Sequence, residues 1–256
     1  MIKQLFFILL FLFSAPIFSQ NTQETDSLNF TDKSNKKQGV WKKYHQTGYL
    51  RYRGEFKNDK PIGVFKYYYD TGKFQSKITY FGNASYVNFY YETGELKATG
   101  KYYSQKKDSL WTYYDLSGHK SSIEFYNKGS KEQIWKTYYL NGKVAEEKEY
   151  HNDFENGDWK QYFESGQIKM KTQFVNGDIE GLATYYDGNG KRKVSGYFKK
   201  SLRDGVWITY NDDGTILKKE KYILGKRADG PVLIDPDKEL HEKQDYLEFE
   251  DLHAPQ

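Results

Sequence analysis

One glycine recurs at almost constant intervals through most of the chain. It stands at positions 48, 72, 94, 118, 142, 166, 190 and 214, so that six of the seven steps are 24 residues long and one is 22. Repeats of this length indicate an array of small supersecondary units, each too small to bury an apolar face alone. Any fold of this chain must therefore be built from about eight similar units stacked side by side.

Aromatic residues keep fixed distances from this glycine. A tyrosine lies four residues before it in every unit, and a tryptophan lies seven residues before it in five of the eight. The other three units carry Phe65, Val87 and Ala183 at the tryptophan position. We interpret the recurring residues as a structural ladder made of Trp41, Tyr44, Gly48, Tyr68, Gly72, Tyr90, Gly94, Trp111, Tyr114, Gly118, Trp135, Tyr138, Gly142, Trp159, Tyr162, Gly166, Tyr186, Gly190, Trp207, Tyr210 and Gly214.

Each unit has the pattern of a β-hairpin. Sequences such as Asp70-Thr71-Gly72 place glycine where a short hairpin loop needs a positive φ. The 25 tyrosines and 17 phenylalanines favour pleated, half-buried surfaces. Tryptophan and tyrosine are three residues apart in a unit, so they face opposite sides of a strand. The prediction is an all-β fold, an elongated single-layer antiparallel sheet of eight tandem hairpins with aromatic residues on both faces.

Three departures from the repeat modify this prediction. A glycine often precedes the tryptophan position by two residues, but Ser85, Ser109 and Gln133 replace it, so we interpret it as a preference. The 22-residue step is expected to lose its two residues from a polar connection, where loss costs little. Lys120 and Arg192 replace an apolar residue two positions after the turn glycine, which predicts looser packing of those hairpins.

The units resemble the MORN-repeat-variant family of bacteria, whose copies have the form G-x-W-x-x-Y-x-x-G-x-L. The clearest matches are the segments from Gly39 to Leu50 and from Gly205 to Ile216. The resemblance extends over about residues 39–230. It implies an elongated hairpin array used for protein or membrane contacts. Many relatives are labelled as antitoxins of toxin–antitoxin systems, so it also implies an antitoxin or immunity function as an alternative.

The N-terminal end differs from the repeats. Residues 1–19 contain Lys3, an apolar run from Leu5 to Phe13 and a small Ser19, which is the layout of a secretory signal peptide. The run is shorter than the ~20 residues needed to span a bilayer. We therefore expect export to the periplasm or medium, with cleavage near Ser19/Gln20. Residues 20–38 are predicted to form a polar leader whose last part caps the first hairpin.

The C-terminal end is acidic. Residues 229–256 contain nine acids and two bases, whereas the whole chain has a formal charge of +4. We expect a capping strand followed by an acidic tail, after repeats that fill residues 39–228. The tail is either a solvated segment or folds back on a basic face and masks it.

No catalytic constellation is visible. Cysteine is absent, which excludes disulfides, thiolate chemistry and Cys-ligated zinc. The five histidines neither pair at metal-ligand spacing nor recur in the unit, and phosphate loops and nucleophile elbows are lacking. We predict a protein that is not an enzyme and has no catalytic residue, metal or cofactor. Nucleic acid is not expected as a ligand, because export would separate the chain from it.

The leading prediction of function is an exported scaffold for protein–protein or cell-envelope interactions, since repeat arrays offer extended surfaces. An antitoxin or immunity protein is the first alternative. A glycan or lipid-surface binding module, using exposed aromatic ladders, is the second. A protein partner is expected, but the residues leave open its identity, the binding face and the oligomeric state.

Overall fold

The computed structural model describes residues 28–228, which contain eighteen β-strands and no helix. The predicted signal peptide, residues 20–27 of the predicted leader, and the predicted C-terminal capping strand and acidic tail lie outside these residues. The strands are β1 Phe30–Thr31, β2 Lys37–Tyr44, β3 Leu50–Lys57, β4 Lys60–Tyr68, β5 Phe74–Phe81, β6 Ala84–Tyr90, β7 Leu96–Tyr103, β8 Lys106–Tyr114, β9 Lys120–Asn127, β10 Ser130–Tyr138, β11 Val144–His151, β12 Phe154–Tyr162, β13 Ile168–Val175, β14 Asp178–Tyr186, β15 Arg192–Lys199, β16 Leu202–Tyr210, β17 Ile216–Ile223 and β18 Lys226–Arg227.

Every strand pairs antiparallel with its neighbours in the chain, from β1 with β2 to β17 with β18. The prediction of a single open sheet of tandem hairpins is confirmed. The eight long hairpins begin with β2–β3 and end with β16–β17, and we call them units one to eight. Because the described residues form one layer, apolar side chains are buried by packing sideways against neighbouring strands.

The recurring glycine closes each hairpin. In unit one the N–H of Gly48 donates to the carbonyl of His45 (3.0 Å), and the N–H of His45 donates to the carbonyl of Tyr49 (2.8 Å). Gly48 has a φ of 87°, a left-handed value that glycine adopts without a Cβ penalty. The turn at Gly214 in unit eight has the same two bonds. The hairpin loops are thus nearly identical from unit to unit.

Most units are joined by a bulged pairing. Between β3 and β4, Arg53 is opposite Lys66 while Glu55 is opposite Ile62, so a step of two residues in β3 matches a step of four in β4. The same two-against-four shift occurs in five of the other six connections between units. The extra residues include a left-handed position, which is Gly63 at this connection. Bulges of this kind bend a strand and increase its twist.

The 22-residue step removes the bulge. β5 and β6 pair in unbroken register from Ser76–Phe89 to Phe81–Ala84, and Ser85 has no positive φ. The connecting turn at Gly82 and Asn83 keeps the two residues found elsewhere, as at residues 58–59. The expectation that the two residues are lost from the connection was therefore wrong. They are lost from the strand, where they would have formed the bulge.

The left-handed conformation required at the bulge also explains the preference for glycine two residues before the tryptophan position. Ser109 and Gln133 adopt φ values of 61° and 60° although they carry a Cβ. Glycine is thus preferred there because the bulge needs a left-handed residue, and the two exceptions carry a conformational cost of about 1–2 kcal/mol each.

Both ends of the described sheet carry very short strands. At the N-terminal edge β1 pairs Phe30 with Gln38, and the side chain of Asn29 accepts a bond from the N–H of Lys42 (2.8 Å). At the other edge β18 pairs Arg227 with Tyr222. Short edge strands reduce the open hydrogen-bonding edge that a sheet offers to other chains.

Candidate functional site

The face that carries the tryptophans, which we call the Trp face, is a packed core. The ring of Trp111 is 1% exposed and lies directly on Gly100 of the preceding unit, where a Cβ would come within 2.2 Å of the ring. Trp207 lies on Gly196 in the same way. Phe65 repeats the arrangement on Gly54. Each glycine stands at the bulge, so it gives the next aromatic ring access to the backbone.

The indole N–H explains the preference for tryptophan. The N–H of Trp111 donates to the carbonyl of Lys101 (3.0 Å), and that of Trp207 donates to the carbonyl of Tyr197 (3.1 Å). Both carbonyls belong to the residue that follows the bulge glycine. In three of the five tryptophan units the indole N–H thus donates to a backbone carbonyl of the preceding strand, a bond that phenylalanine could not form.

Residue sizes compensate at this contact. Ala183 takes the tryptophan position in unit seven, and the residue in the place of the glycine is the larger Thr172. Val87 of unit three similarly pairs with Ile78 of unit two. Ala183, Thr172 and Val87 are all at most 2% exposed, so the smaller residues leave no opening to solvent.

A cation covers each tryptophan ring. Lys107 lies 4.9 Å from the ring of Trp111 and 4.8 Å from Tyr126. Lys37, Lys131 and Arg203 occupy the same position, four residues before Trp41, Trp135 and Trp207. In unit six Glu155 stands there instead. Lys148 from the preceding strand then approaches Trp159 (5.3 Å) and pairs with Glu155 (3.7 Å).

The Trp face is therefore a poor platform for ring stacking with a ligand. Trp111 and Trp207 are buried against backbone, an aromatic neighbour such as Tyr102 beside Trp111 (4.9 Å), and a cation. The other three tryptophans are half-buried, and each contacts an aromatic neighbour and a cation. Such contacts contribute about 0.5–2 kcal/mol each to the fold.

The opposite face carries the tyrosine of every unit, and we call it the Tyr face. Phe74 lies between Tyr68 (5.6 Å) and Tyr90 (5.1 Å) of the next unit. Lys120 and Arg192 take the place of Phe74 in their units and lie 5.4 Å from Tyr138 and 5.0 Å from Tyr210. These two hairpins thus replace an apolar contact by a cation–π contact with the next tyrosine.

An ion pair with a tyrosine forms in the middle of the Tyr face. Glu147 accepts bonds from Lys136 (2.6 Å) and from the hydroxyl of Tyr162 (2.7 Å). Burial alone would raise the pKa of Glu147, but Lys136 and Tyr162 outweigh it and hold that pKa below its usual value. Burial and the neighbouring Glu147 raise the pKa of Tyr162. The group is ionised and satisfied at neutral pH, as expected of a structural pair.

A line of hydrogen bonds connects the units near the hairpin turns. In units one, two, three and five, the side chain of the residue after the recurring tyrosine bonds the carbonyl of the next unit's tyrosine. Tyr69 bonds Tyr90 (2.8 Å), Tyr91 bonds Tyr114 (2.9 Å), and Tyr139 bonds Tyr162 (2.6 Å). His45 contacts the carbonyl of Tyr68 at 2.9 Å. These bonds fasten one turn to the next.

An apolar row runs across the Tyr face of units two to five. It consists of the residue before the tryptophan position, and it is 44% exposed at Val64, 54% at Tyr86, 52% at Leu110 and 46% at Ile134. These residues lie on the first strand of each hairpin, so they are two strands apart. Aligned apolar side chains at such exposure are typical of an interaction surface.

A basic ladder lies beside this row in units one and two. Lys42 is opposite Arg53, Arg53 is opposite Lys66, and Lys66 is opposite Lys77, so four cations stand on four consecutive strands. Arg53, Lys66 and Lys77 are exposed. No ion pair within residues 28–228 involves any of the four. Like charges placed directly opposite destabilise a sheet, so the ladder does not serve the fold.

The predicted ladder residues occupy fixed places in this architecture. The tryptophans lie on the Trp face, the tyrosines on the Tyr face and the glycines in the hairpin turns. The sequence reasoning missed Gly54, Gly100 and Gly196, although each follows a turn glycine by six residues. It also missed the apolar row and the basic ladder.

No chemical centre is found in the part of the chain that the structure describes. Residues 28–228 hold no group of three or more His, Cys, Asp or Glu side chains placed to bind a metal ion. The same residues include no helix with the length and apolar character needed to cross a membrane.

These features define the class of the protein as an open, single-layer β-hairpin repeat array with an exposed apolar and basic surface. The model of the MORN repeat variant family matches residues 37–58, 61–81, 134–152, 155–176 and 203–223. The chain is therefore a protein of MORN-variant repeats. Units three, four and seven, which this model does not match, have the same hairpin fold. Repeats of this family are modules for contacts with proteins, membranes or lipids.

Similarity to other proteins is weak. No curated protein matches the chain. A TarM mutant from S. aureus, solved with fondaparinux, α-GlcNAc-glycerol and UDP, is 15% identical over 37% of this chain and 20% of its own, with a TM-score of 0.28. A TcdB2-TccC3 structure is 13% identical over 77% of this chain and 13% of its own (TM-score 0.22). The Tc holotoxin pore of Photorhabdus luminescens is 9% identical over 74% and 13% (TM-score 0.20). The matched parts span a fifth or less of those chains.

Proposed function

We propose that this protein is an exported, non-enzymatic scaffold that binds an acidic, partly apolar protein surface through the Tyr face of units one to five. The observation that carries the proposal is the position of the basic ladder beside the apolar row on one face. Neither is paired or covered within residues 28–228. A partner that supplies carboxylates and apolar side chains would relieve the repulsion and remove the apolar surface from water.

The dimensions suit a protein partner. Strands in a sheet are about 4.8 Å apart, so the six spacings from Val64 in β4 to Ile134 in β10 amount to about 29 Å. A patch of that length matches one side of an interface of standard size. Its regular spacing of two strands, about 10 Å, would set the register of the partner.

A second candidate is an anionic polymer or lipid surface of the cell envelope. The basic ladder favours it, because a row of cations attracts any surface of negative charge. It differs from the first candidate in its use of the apolar row, since a polyanion would contact the ladder alone. Glycan stacking on the Trp face is less favoured, because all five tryptophan rings already contact a cation and an aromatic neighbour.

The experiment introduces a photo-crosslinking amino acid at Leu110 in the native host. Lys43, an exposed residue of the Trp face, serves as the matched control position. We expect a discrete crosslinked protein from position 110 and none from position 43. The double variant Lys66→Glu with Lys77→Glu should lower the yield by about tenfold or more, since like charges across an interface cost several kcal/mol. Equal crosslinking from both positions, or a yield insensitive to charge reversal, would refute the proposed surface.

The alternative ligand and the export are tested separately. Salt-sensitive binding to anionic vesicles or to purified envelope polymer, without a crosslinked protein, would favour the second candidate. For export, intact mass of the native protein should show a species that begins near Gln20 in the periplasm or medium. A full-length species in the cytoplasm would overturn export but leave the binding surface to be judged by the crosslinks.

A further inference from the structure

The part of the Trp face in units two and three has no tryptophan and differs from the rest. It also lacks the cation that four other units carry four residues before the tryptophan position, because Pro61 and Asn83 stand there. In the six other units the side chain three residues before that position accepts a bond from a backbone N–H of the next connection, at 2.9–3.3 Å. Ile62 and Ala84 carry no acceptor, so these two connections lack that side-chain bond.

A cleft of about 480 Å³ lies at this place, a volume typical of sites for small molecules. Ser85 of β6 lines the cleft and is opposite both Tyr80 of β5 and Tyr102 of β7. The ring of Tyr80 packs on Phe65 of β4 (5.2 Å), and that of Tyr102 packs on Trp111 of β8 (4.9 Å). Each tyrosine therefore leans away from β6. The two rings form the walls of the cleft, and the small serine lies between them.

The neighbouring units show what the cleft lacks. In unit five Trp135 contacts both Tyr126 (5.2 Å) and Tyr150 (4.8 Å), the aromatic residues on its two sides. Unit three has Val87 instead, and within residues 28–228 no ring contact connects the two wall tyrosines. Strands two positions apart in a sheet are separated by about 10 Å. A ring needs about 3.5–4 Å of separation from a neighbour on each side, so the walls admit one ring between them.

The rim of the cleft is polar. Asn83, Ser104 and Gln105 line it together with Ser85, and the side chains of these four residues make no hydrogen bond within residues 28–228. Among the described residues that line the cleft, Lys60 alone is charged, and it forms no ion pair with any of residues 28–228. Two amides, two hydroxyls and one cation are thus available to a ligand held between the aromatic walls.

We propose that this cleft binds one ring of an acidic sugar, such as a uronic-acid unit of a polysaccharide. The C–H groups on the face of a pyranose ring are apolar and slightly positive, which suits the negative face of an aromatic wall. Sugar hydroxyls both donate and accept, as do the amides and hydroxyls of the rim. The carboxylate pairs with Lys60 in a charge-assisted contact. A planar aromatic ligand would leave the polar rim without partners, and an ammonium ligand would be repelled by Lys60.

An array of immobilised oligosaccharides tests the proposal with the full chain. The array carries oligomers of glucuronate, galacturonate, mannuronate, guluronate and iduronate beside the corresponding neutral hexoses. We expect the chain to be retained by at least one uronate and about tenfold less by its neutral counterpart. Ser85→Tyr places a ring between the walls at a position without a positive φ, so it should abolish binding while urea unfolding shows the native stability or a higher one. Retention by no sugar, or binding that survives in a folded Ser85→Tyr variant, would overturn the proposal.

Two pairs of variants at exposed positions separate binding from a general effect of mutation. Lys60→Ala should weaken binding of the retained uronate about tenfold, whereas Lys36→Ala, at the equivalent position of unit one, should leave it unchanged. Gln105→Ala should weaken it about threefold, whereas Gln46→Ala, in the hairpin turn of unit one, should not.

Equal binding by Lys60→Ala and Lys36→Ala would overturn the proposed acidic sugar, as would retention by neutral sugars alone. The cleft is on the Trp face, so reversal of the charges of the basic ladder on the Tyr face should not change sugar binding. The proposed protein partner and the sugar site can therefore fail separately.

Discussion

The contact between Gly100 and Trp111 gives a prediction in which two damaging changes partly cancel. Trp111→Ala removes a fully buried ring, which should cost about 3–5 kcal/mol of unfolding free energy. Gly100→Thr places a Cβ at 2.2 Å from that ring, and such overpacking costs about 1–3 kcal/mol. The contact between units six and seven already contains the combination, since Thr172 and Ala183 stand at the equivalent positions and are at most 2% exposed.

The double variant should therefore be more stable than the sum of the single variants predicts. The threonine fills part of the space that the ring leaves, and the ring that it would strike is gone. We expect a coupling of about 2 kcal/mol, within the range found for residues in contact. Urea unfolding followed by circular dichroism gives the four free energies of the cycle.

A matched control separates this contact from a general effect on glycine. Gly188 has no atom within 4 Å of an added Cβ and no positive φ, so Gly188→Ala should change stability by less than about 0.5 kcal/mol. If the Gly100 and Trp111 variants add to within about 0.5 kcal/mol, the argument from shape compensation is refuted.

Three further predictions concern the backbone, the turn contacts and the tyrosines. Gln133→Gly should raise stability by about 1 kcal/mol in urea unfolding, because position 133 has a φ of 60°, whereas Gly63→Ala at a φ of 63° should lower it by a similar amount. Tyr91→Phe should lower it by about 0.5–1.5 kcal/mol through loss of the bond to Tyr114, whereas Tyr49→Phe, which is exposed, should have no effect. Burial raises the pKa of Tyr150 to about 12 and also raises the pKa of Tyr67 and Tyr113 above the value of about 10 in the unfolded chain. The folded state therefore favours the protonated tyrosines, and the free energy of unfolding should fall as pH rises from about 10 towards 12. Unfolding monitored by phenolate absorbance checks this, and a constant free energy of unfolding over that range would contradict it.

The hairpin fold could be predicted because its signals are local and repeated. The turn glycine, the tyrosine four residues before it and the tryptophan seven residues before it each mark one position of one hairpin. Eight copies of a weak pattern make a strong one, and sequential pairing follows from short connections.

The bulge could not be predicted, because it depends on how two strands align. The loss of two residues between Tyr80 and Val87 is compatible with a shorter turn or with a strand that lacks the bulge, and the amino-acid sequence does not distinguish these two possibilities. The close contact of Gly100 with Trp111 could not be predicted for the same reason, since Trp111 belongs to the next unit and contacts Gly100 only in the bulged register.

The basic ladder illustrates why the candidate binding surface was missed. Lys42, Arg53, Lys66 and Lys77 are separated by 11, 13 and 11 residues, a spacing without meaning until the register is known. In the linear sequence they are four of 39 basic residues. Only the pairing of the strands shows that they form one uninterrupted line.

The strictly sequential strand order also determines how the chain can acquire its structure. Side-chain hydrogen bonds between neighbouring units join positions at most 23 residues apart, as between Tyr91 and Tyr114 and between Ser201 and Asp178. Relative to a chain of 256 residues, such separations give a contact order below about 0.1, a value more usual for helical bundles than for β-proteins. Each hairpin can therefore form as soon as it and its predecessor are available. As the chain emerges from the ribosome it could thus assemble progressively, without waiting for its last strand.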